Sequence, residues 1–157
     1  MISLSLLSLL SASLVYCCQT EFDNLEFITL DVTPKFDRPI SYEDIIVECA
    51  NVRTCIETSI SGEPLESYMT YFKPRCDVFR FIENDFKNCH KKLSTVMTTP
   101  GGNCVETLFD KNICKNWTPK TVNCIGKHIQ KQCSQSIQTK FLAMAKSFSK
   151  GFCVKRR

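Results

Sequence analysis

The residues best equipped for chemistry are eleven cysteines, two histidines and a scatter of carboxylates. A nucleophilic serine or cysteine needs a histidine within reach and a carboxylate to orient it. His90 follows Cys89 directly, and sequence neighbours on a helix point apart. His128 lies in a stretch without a single acidic residue, and Gly-x-Ser-x-Gly does not occur. A phospholipase of the secreted helical kind would need a His-Asp pair, but His90 precedes Lys91 and His128 precedes Ile129. Asp23 with Glu26, and Glu83 with Asp85, have the residue types for glycoside hydrolysis. Helical faces carry such pairs routinely, so they read as solvated charge. Cys-x-x-Cys is absent, which removes the thioredoxin-like motif and the zinc-ribbon spacing. These residues lead to the expectation of a protein that is not an enzyme, with no catalytic residue, no cofactor and no metal.

The cysteines then need another use. Disulfides persist in oxidising compartments and are rare in the cytosol. The chain opens with an uncharged run, Met1 to Tyr16, rich in leucine. It is too short to span about 30 Å of hydrocarbon but suits a signal-peptide core, although a basic flank is missing. Val15 at −3 and Cys17 at −1 place cleavage after residue 17. Ten cysteines remain: Cys18, Cys49, Cys55, Cys76, Cys89, Cys104, Cys114, Cys124, Cys133 and Cys153. Cys49 and Cys55, six apart on one helix, are separated by about 9 Å of rise, and Cα atoms beyond about 7 Å do not bridge. Cys124 and Cys133 are further apart. Each of these four therefore pairs with a different element, while the connectivity stays open among the possible pairings.

The elements that must position these residues are helical. Residues 18–40 form the exception, because acids interleaved with Phe22, Leu25 and Phe27 and closed by Pro34 and Pro39 read as an extended arm or short strand. Ser41 is a helix cap, with Asp44 at the capping-box position, and Ile45, Cys49, Val52 and Ile56 make one apolar stripe. A second helix covers about 65–72 and is interrupted by Pro74. A third uses Val78, Phe79, Ile82 and Phe86. Pro100-Gly101-Gly102 is a turn, and a short helix follows around Val105, Leu108 and Phe109. Trp117 and Pro119 fall in a connector. Cys124 to Cys133 is helical, and Ile137, Phe141, Met144, Ala145 and Phe148 share one face of the last helix. The fold class is all-α: an irregular, disulfide-stapled bundle of five or six helices. The expected organisation is a signal peptide (1–17), the arm (18–40) and a cysteine-rich helical domain with a basic tail (41–157).

Several of these features together resemble a family of nematode secreted cysteine-rich domains of unknown function. They are Asn84-Asp85-Phe86-Lys87-Asn88-Cys89 with Leu93, then Cys104 with Val105, Glu106 and Phe109. Cys114 and Trp117 follow, then Cys124-Ile125 with Ile129 and Cys133, and finally Phe141. The upstream pair Cys49 and Cys55 also fits, so the resemblance covers roughly residues 42–150. It implies a secreted helical domain without known catalytic activity, and it brings no site residues.

Charge is the remaining signal. Residues 111–157 hold eleven Lys or Arg and no Asp or Glu, whereas the preceding residues hold nine basic and sixteen acidic side chains. Such polarity is either met inside the fold or offered to an anion. Lys127, Lys131, Lys140, Lys146, Lys150, Lys155, Arg156 and Arg157 are the candidate anion-binding residues, for a sulfated glycan or an anionic membrane surface. Asn116-Trp117-Thr118 is an N-glycosylation acceptor, disfavoured by its Trp and by Pro119. Ser61-Gly62-Glu63 has the shape of a glycosaminoglycan attachment site but reads more simply as a turn. The functional expectation is a secreted extracellular binding or matrix-type protein. Its partner would be a protein, an anionic glycan or a lipid, not a nucleic acid, and the mature chain would have no transmembrane segment. The alternative is a defence or membrane-active protein that uses a basic amphipathic C-terminal helix.

Overall fold

A computed structural model of the protein describes residues 18–29, 32, 34–36, 41–58, 66, 68–97, 103–110 and 112–153. Every regular element among them is helical. Residues 1–17, expected to be a signal peptide, together with Ser61-Gly62-Glu63 and Lys155, Arg156 and Arg157, lie outside the described residues.

The first element corrects the expected extended arm. Gln19–Thr29 is an α-helix, α1. Phe22, Leu25 and Thr29 fall at helical spacing, and Leu25 and Thr29 are buried. Pro34 and Pro39 lie beyond the helix and so do not oppose it. Of the acids that suggested a strand, Asp23 and Glu26 are exposed, and Asp23 accepts a hydrogen bond from Gln19 Nε2 at 2.7 Å.

Helix α2 (Glu43–Thr58) buries Ile45, Cys49, Val52 and Ile56, the stripe read from the sequence. Its N-terminus is closed from elsewhere in the chain. The Ser41 hydroxyl accepts from the Glu43 backbone N–H at 3.3 Å, and the Tyr42 N–H donates to Glu83 Oε2 at 3.1 Å. A carboxylate 41 residues downstream thus satisfies one of the donors a helix start leaves orphaned.

The expected break at Pro74 does not occur. Residues 68–94 form one helical run: a π-turn (Tyr68–Phe72), α3 (Lys73–Arg80), a second π-turn (Phe81–Phe86) and α4 (Lys87–Ser94). Pro74 sits in the first turn of α3, directly after the π-turn. There the ring's missing donor and its clash with the preceding turn cost least. The second π-turn has a packing consequence. Its i→i+5 bonding brings residues five apart over one another, and the Phe81 and Phe86 ring centroids stand 5.5 Å apart.

A short α5 (Asn103–Glu106) runs into a 3-10 turn (Thr107–Phe109), followed by α6 (Ile113–Asn116). Helix α7 (Pro119–Gln132) starts earlier than the sequence suggested, with Pro119 in its first turn. The Thr118 side chain caps it, accepting from Thr121 N at 3.2 Å. Two residues later α8 (Gln135–Phe152) begins, capped by Ser134. So short a link makes α7 and α8 a helical hairpin. They pack closely: a Cβ on buried Gly126 would stand 3.3 Å from Leu142 Cδ2.

Five disulfides tie these elements together. Cys18–Cys55 joins the start of α1 to α2, and Cys49–Cys76 joins α2 to α3. Cys89–Cys133 joins α4 to the end of α7, Cys104–Cys124 joins α5 to α7, and Cys114–Cys153 joins α6 to the end of α8. Every bridge links different helices. Between them lies a core rich in phenylalanine. Phe79, Phe86, Phe141 and Phe148 are fully buried. Trp117 leaves the connector to pack on Phe148 with centroids 4.6 Å apart, and its indole N–H donates to the Ala145 carbonyl at 3.2 Å.

Candidate functional site

The burial of one face of α7 and α8 fixes where their charges go. In α7, Ile125, Gly126 and Ile129 are buried. A rotation of about 100° per residue puts Lys120, Lys127 and Lys131 on the opposite side, and all three are exposed. In α8, Phe141, Met144, Ala145 and Phe148 are buried. Lys146 and Lys150 lie opposite and exposed. Neither helix contains an acidic residue.

The electrostatic partners separate these lysines into two groups. Lys140, counted with the rest from the sequence, is engaged: its Nζ bridges to Asp85 on the second π-turn. That pair is where the basic third meets the acidic part of the chain. The other ion pairs among the described residues are local, Arg53–Glu57, Lys73–Asp77 and Lys87–Glu83. Lys127, Lys131, Lys146 and Lys150 take part in none of them. The anion-binding candidates thus reduce, among the described residues, to these four, with Lys120 added by the structure. Lys120 lies ahead of the helical segment expected from Cys124 and enters the set because α7 begins at Pro119.

The carboxylates of Glu83 and Asp85 both have partners within the fold. Glu83, with its side chain only 7% exposed, accepts from Lys87 Nζ at 2.6 Å and from the Tyr42 N–H. The Lys87 hydrogen bond and the Tyr42 amide hold its carboxyl below the usual range, against an opposing push from burial. Asp85 is taken by Lys140. The histidines part company. His90 lies against Phe109, ring centroids 6.4 Å apart. His128, one turn beyond Cys124 on α7, lies with Cys104 and Cys124, their ligand-type atoms all within 4.8 Å of one another. The two sulfurs are joined in a disulfide.

Asn116 is exposed at the end of α6, and its amide donates to Asp110 Oδ2 at 3.4 Å. The Thr118 hydroxyl of the same acceptor triplet is engaged at the cap of α7. Three large apolar side chains that the sequence did not single out stand on the surface: Val47, Met69 and Tyr71. Isolated exposed hydrophobics are ordinary.

No helix of the described residues is long and apolar enough to cross a membrane. No curated protein and no solved structure matches the chain. A family model described as a domain of unknown function, DUF19, matches residues 11–154. That span takes in all five disulfides, α1 and the α7–α8 hairpin. The chain, a helical fold stapled by five disulfides, belongs to the DUF19 family.

Proposed function

We propose that this protein is a secreted, non-catalytic extracellular binding protein that holds a sulfated matrix glycan on the lysine face of α7 and α8. The observation that carries the reading is the set of Lys127, Lys131, Lys146 and Lys150. All four are exposed, lie opposite the buried faces of their helices, and have no acidic neighbour within either helix. Sulfates on an extended polysaccharide can meet exposed charges of this kind without needing a pocket. Paired cysteines in this number fit an oxidising compartment, and the likeness to secreted nematode domains points the same way. His90 and the carboxylates at Glu83 and Asp85 have structural partners, which favours binding over catalysis.

The membrane-active alternative draws less support. A helix that enters a bilayer surface must offer its apolar face, and in α8 that face is in the core, with Phe141 and Phe148 fully buried. Disulfides close both ends of the helix, at Cys133 and Cys153.

The test is retention of the oxidised protein on heparin and on anionic liposomes across a salt series. A variant with Lys127, Lys131, Lys146 and Lys150 replaced by glutamine is run beside it. At about 0.5 kcal/mol for each exposed charge pair, the four changes together weaken heparin binding on the order of 30-fold. Retention should also fall with salt, as screening shortens the reach of exposed charge. Heparin retention that the substitutions leave unchanged, or none at low salt, overturns the proposal. Liposome leakage persisting in moderate salt would favour the membrane-active reading.

A further inference from the structure

We infer that this protein associates head to tail with copies of itself, the outer face of α2 on one copy docking on the lysine stripe of α7 on the next. The two faces are opposite in charge and similar in length. Helices α1 and α2 hold seven acidic side chains against one arginine, and α7 and α8 hold six lysines and no acid. With 16 residues in α2 and 14 in α7, the faces run about 24 and about 21 Å.

The outer face of α2 is more than solvated charge. At about 100° per residue, Glu43, Val47, Ala50, Thr54 and Glu57 fall in one stripe, opposite the buried Ile45, Cys49, Val52 and Ile56. All five are exposed, Val47 by 56%. A lone surface valine is ordinary, but this one shares its stripe with an alanine and a threonine, between two carboxylates. On α7, Lys120, Lys127 and Lys131 fall within about 40° of one another, on the side away from Ile125 and Ile129. A lysine fits such a stripe twice over: its ammonium meets a carboxylate while its methylene stem covers an apolar side chain.

Within one chain the two faces do not meet. No ion pair among the described residues joins α2 to α7 or α8, and Glu43 takes part in none. Glu57 pairs with Arg53 on its own helix, both side chains more than half exposed. α2 and α8 each pack on α3, and the outer faces are turned away from that shared core. The complement of the acidic stripe is therefore a second copy. Two different patches make a heterologous contact, which lengthens into a row when its rotation does not close a ring. A strip about 10 Å wide and this long falls well short of the roughly 800 Å² a partner that stable complexes bury. The association is accordingly weak, reversible and dependent on charge. It shares the lysine face with the glycan reading but does not depend on it.

The experiment is sedimentation velocity of the whole oxidised protein across a concentration series without glycan. At about 10 mM salt the sedimentation coefficient should rise with concentration, and at about 1 M salt, where charge reaches only about 3 Å, it should not. Glu43→Lys with Glu57→Lys, and separately Lys127→Glu with Lys131→Glu, should each abolish the rise, and an equal mixture of the two variants should restore it. Val47→Ser, which leaves the charges intact, should weaken it. Lys91→Glu with Lys92→Glu, the same charge change on α4, should leave the rise in place. Carbodiimide cross-linking of mixed ¹⁴N and ¹⁵N protein should give inter-chain links from Glu43 or Glu57 to Lys120, Lys127 or Lys131. A monomer at every concentration in low salt overturns the inference. So does a rise that both charge reversals leave unchanged, or inter-chain links centred on Lys91 and Lys92. Heparin retention by the Glu43→Lys, Glu57→Lys variant reads the glycan face separately, so the two proposals can fail independently.

Discussion

Glu83 illustrates how one side chain can join two elements by charge. It caps the start of α2 through the Tyr42 N–H and pairs with Lys87 one turn along its own run. Its carboxyl is held below the ordinary value of 4.5 in the fold, chiefly by the Lys87 hydrogen bond. The unfolded chain therefore binds a proton more readily than the native one, so the ionised carboxylate stabilises the fold at neutral pH. That contribution is lost as pH falls from about 4.5 toward the lowered value. Glu83→Gln should destabilise by about 1 to 2 kcal/mol at pH 7, and the difference should shrink as pH falls below 4.5 toward and past the lowered value. Thermal denaturation of both proteins across pH 3 to 7 would show the two stability curves converging in acid. A constant gap at all pH values would mean that Glu83 acts by packing alone. No sequence rule could have found this contact, because it joins residues 41 positions apart. The Ser41 cap was legible because caps follow local residue preference.

Helices were legible where one face is buried and the other wet. The stripe of α2, Ile45, Cys49, Val52 and Ile56, matches its buried face, and in α8 Phe141, Met144, Ala145 and Phe148 do so too, while Ile137 on the expected face is only partly buried. The failures came where local cues compete with packing. Acids alternate with apolar residues in α1 and imitate a strand, whereas Phe22, Leu25 and Thr29 carry the helical spacing that wins once Leu25 is buried. Pro74 looked like a break because its effect depends on where a turn begins, and a π-turn places it in the first turn of α3. The dependence of α1 on its staple can be measured. Cys18–Cys55 closes a loop of 37 residues, and a loop of that length is worth about 3 to 4 kcal/mol to the folded state. With Cys18 and Cys55 both replaced by serine, hydrogen exchange should show α1 losing protection while α7 and α8 keep theirs. Equal loss throughout would mean that α1 belongs to the same cooperative unit as the C-terminal hairpin.

Across the whole molecule, charge follows the two helical pairs. Helices α1 and α2 carry Glu21, Asp23, Glu26, Glu43, Asp44, Glu48 and Glu57 against Arg53 alone. Helices α7 and α8 carry six lysines and no acid. α1 packs chiefly on α2, while α2 and α8 both pack on α3 in the central run. The sequence showed that the two ends differ in sign but could not say whether they neutralise one another. The fold answers in part, spending Lys140 on Asp85 and leaving Lys127, Lys131, Lys146 and Lys150 facing solvent. Ligand identity stays illegible in sequence because a lysine face carries charge without shape. The most direct test of the binding face is lysine-by-lysine acetylation, read by mass spectrometry with and without a sulfated oligosaccharide. Lys127, Lys131, Lys146 and Lys150 should be protected, with Lys91 and Lys92 on α4 reacting as before. Uniform protection, or protection centred on α4, would contradict it.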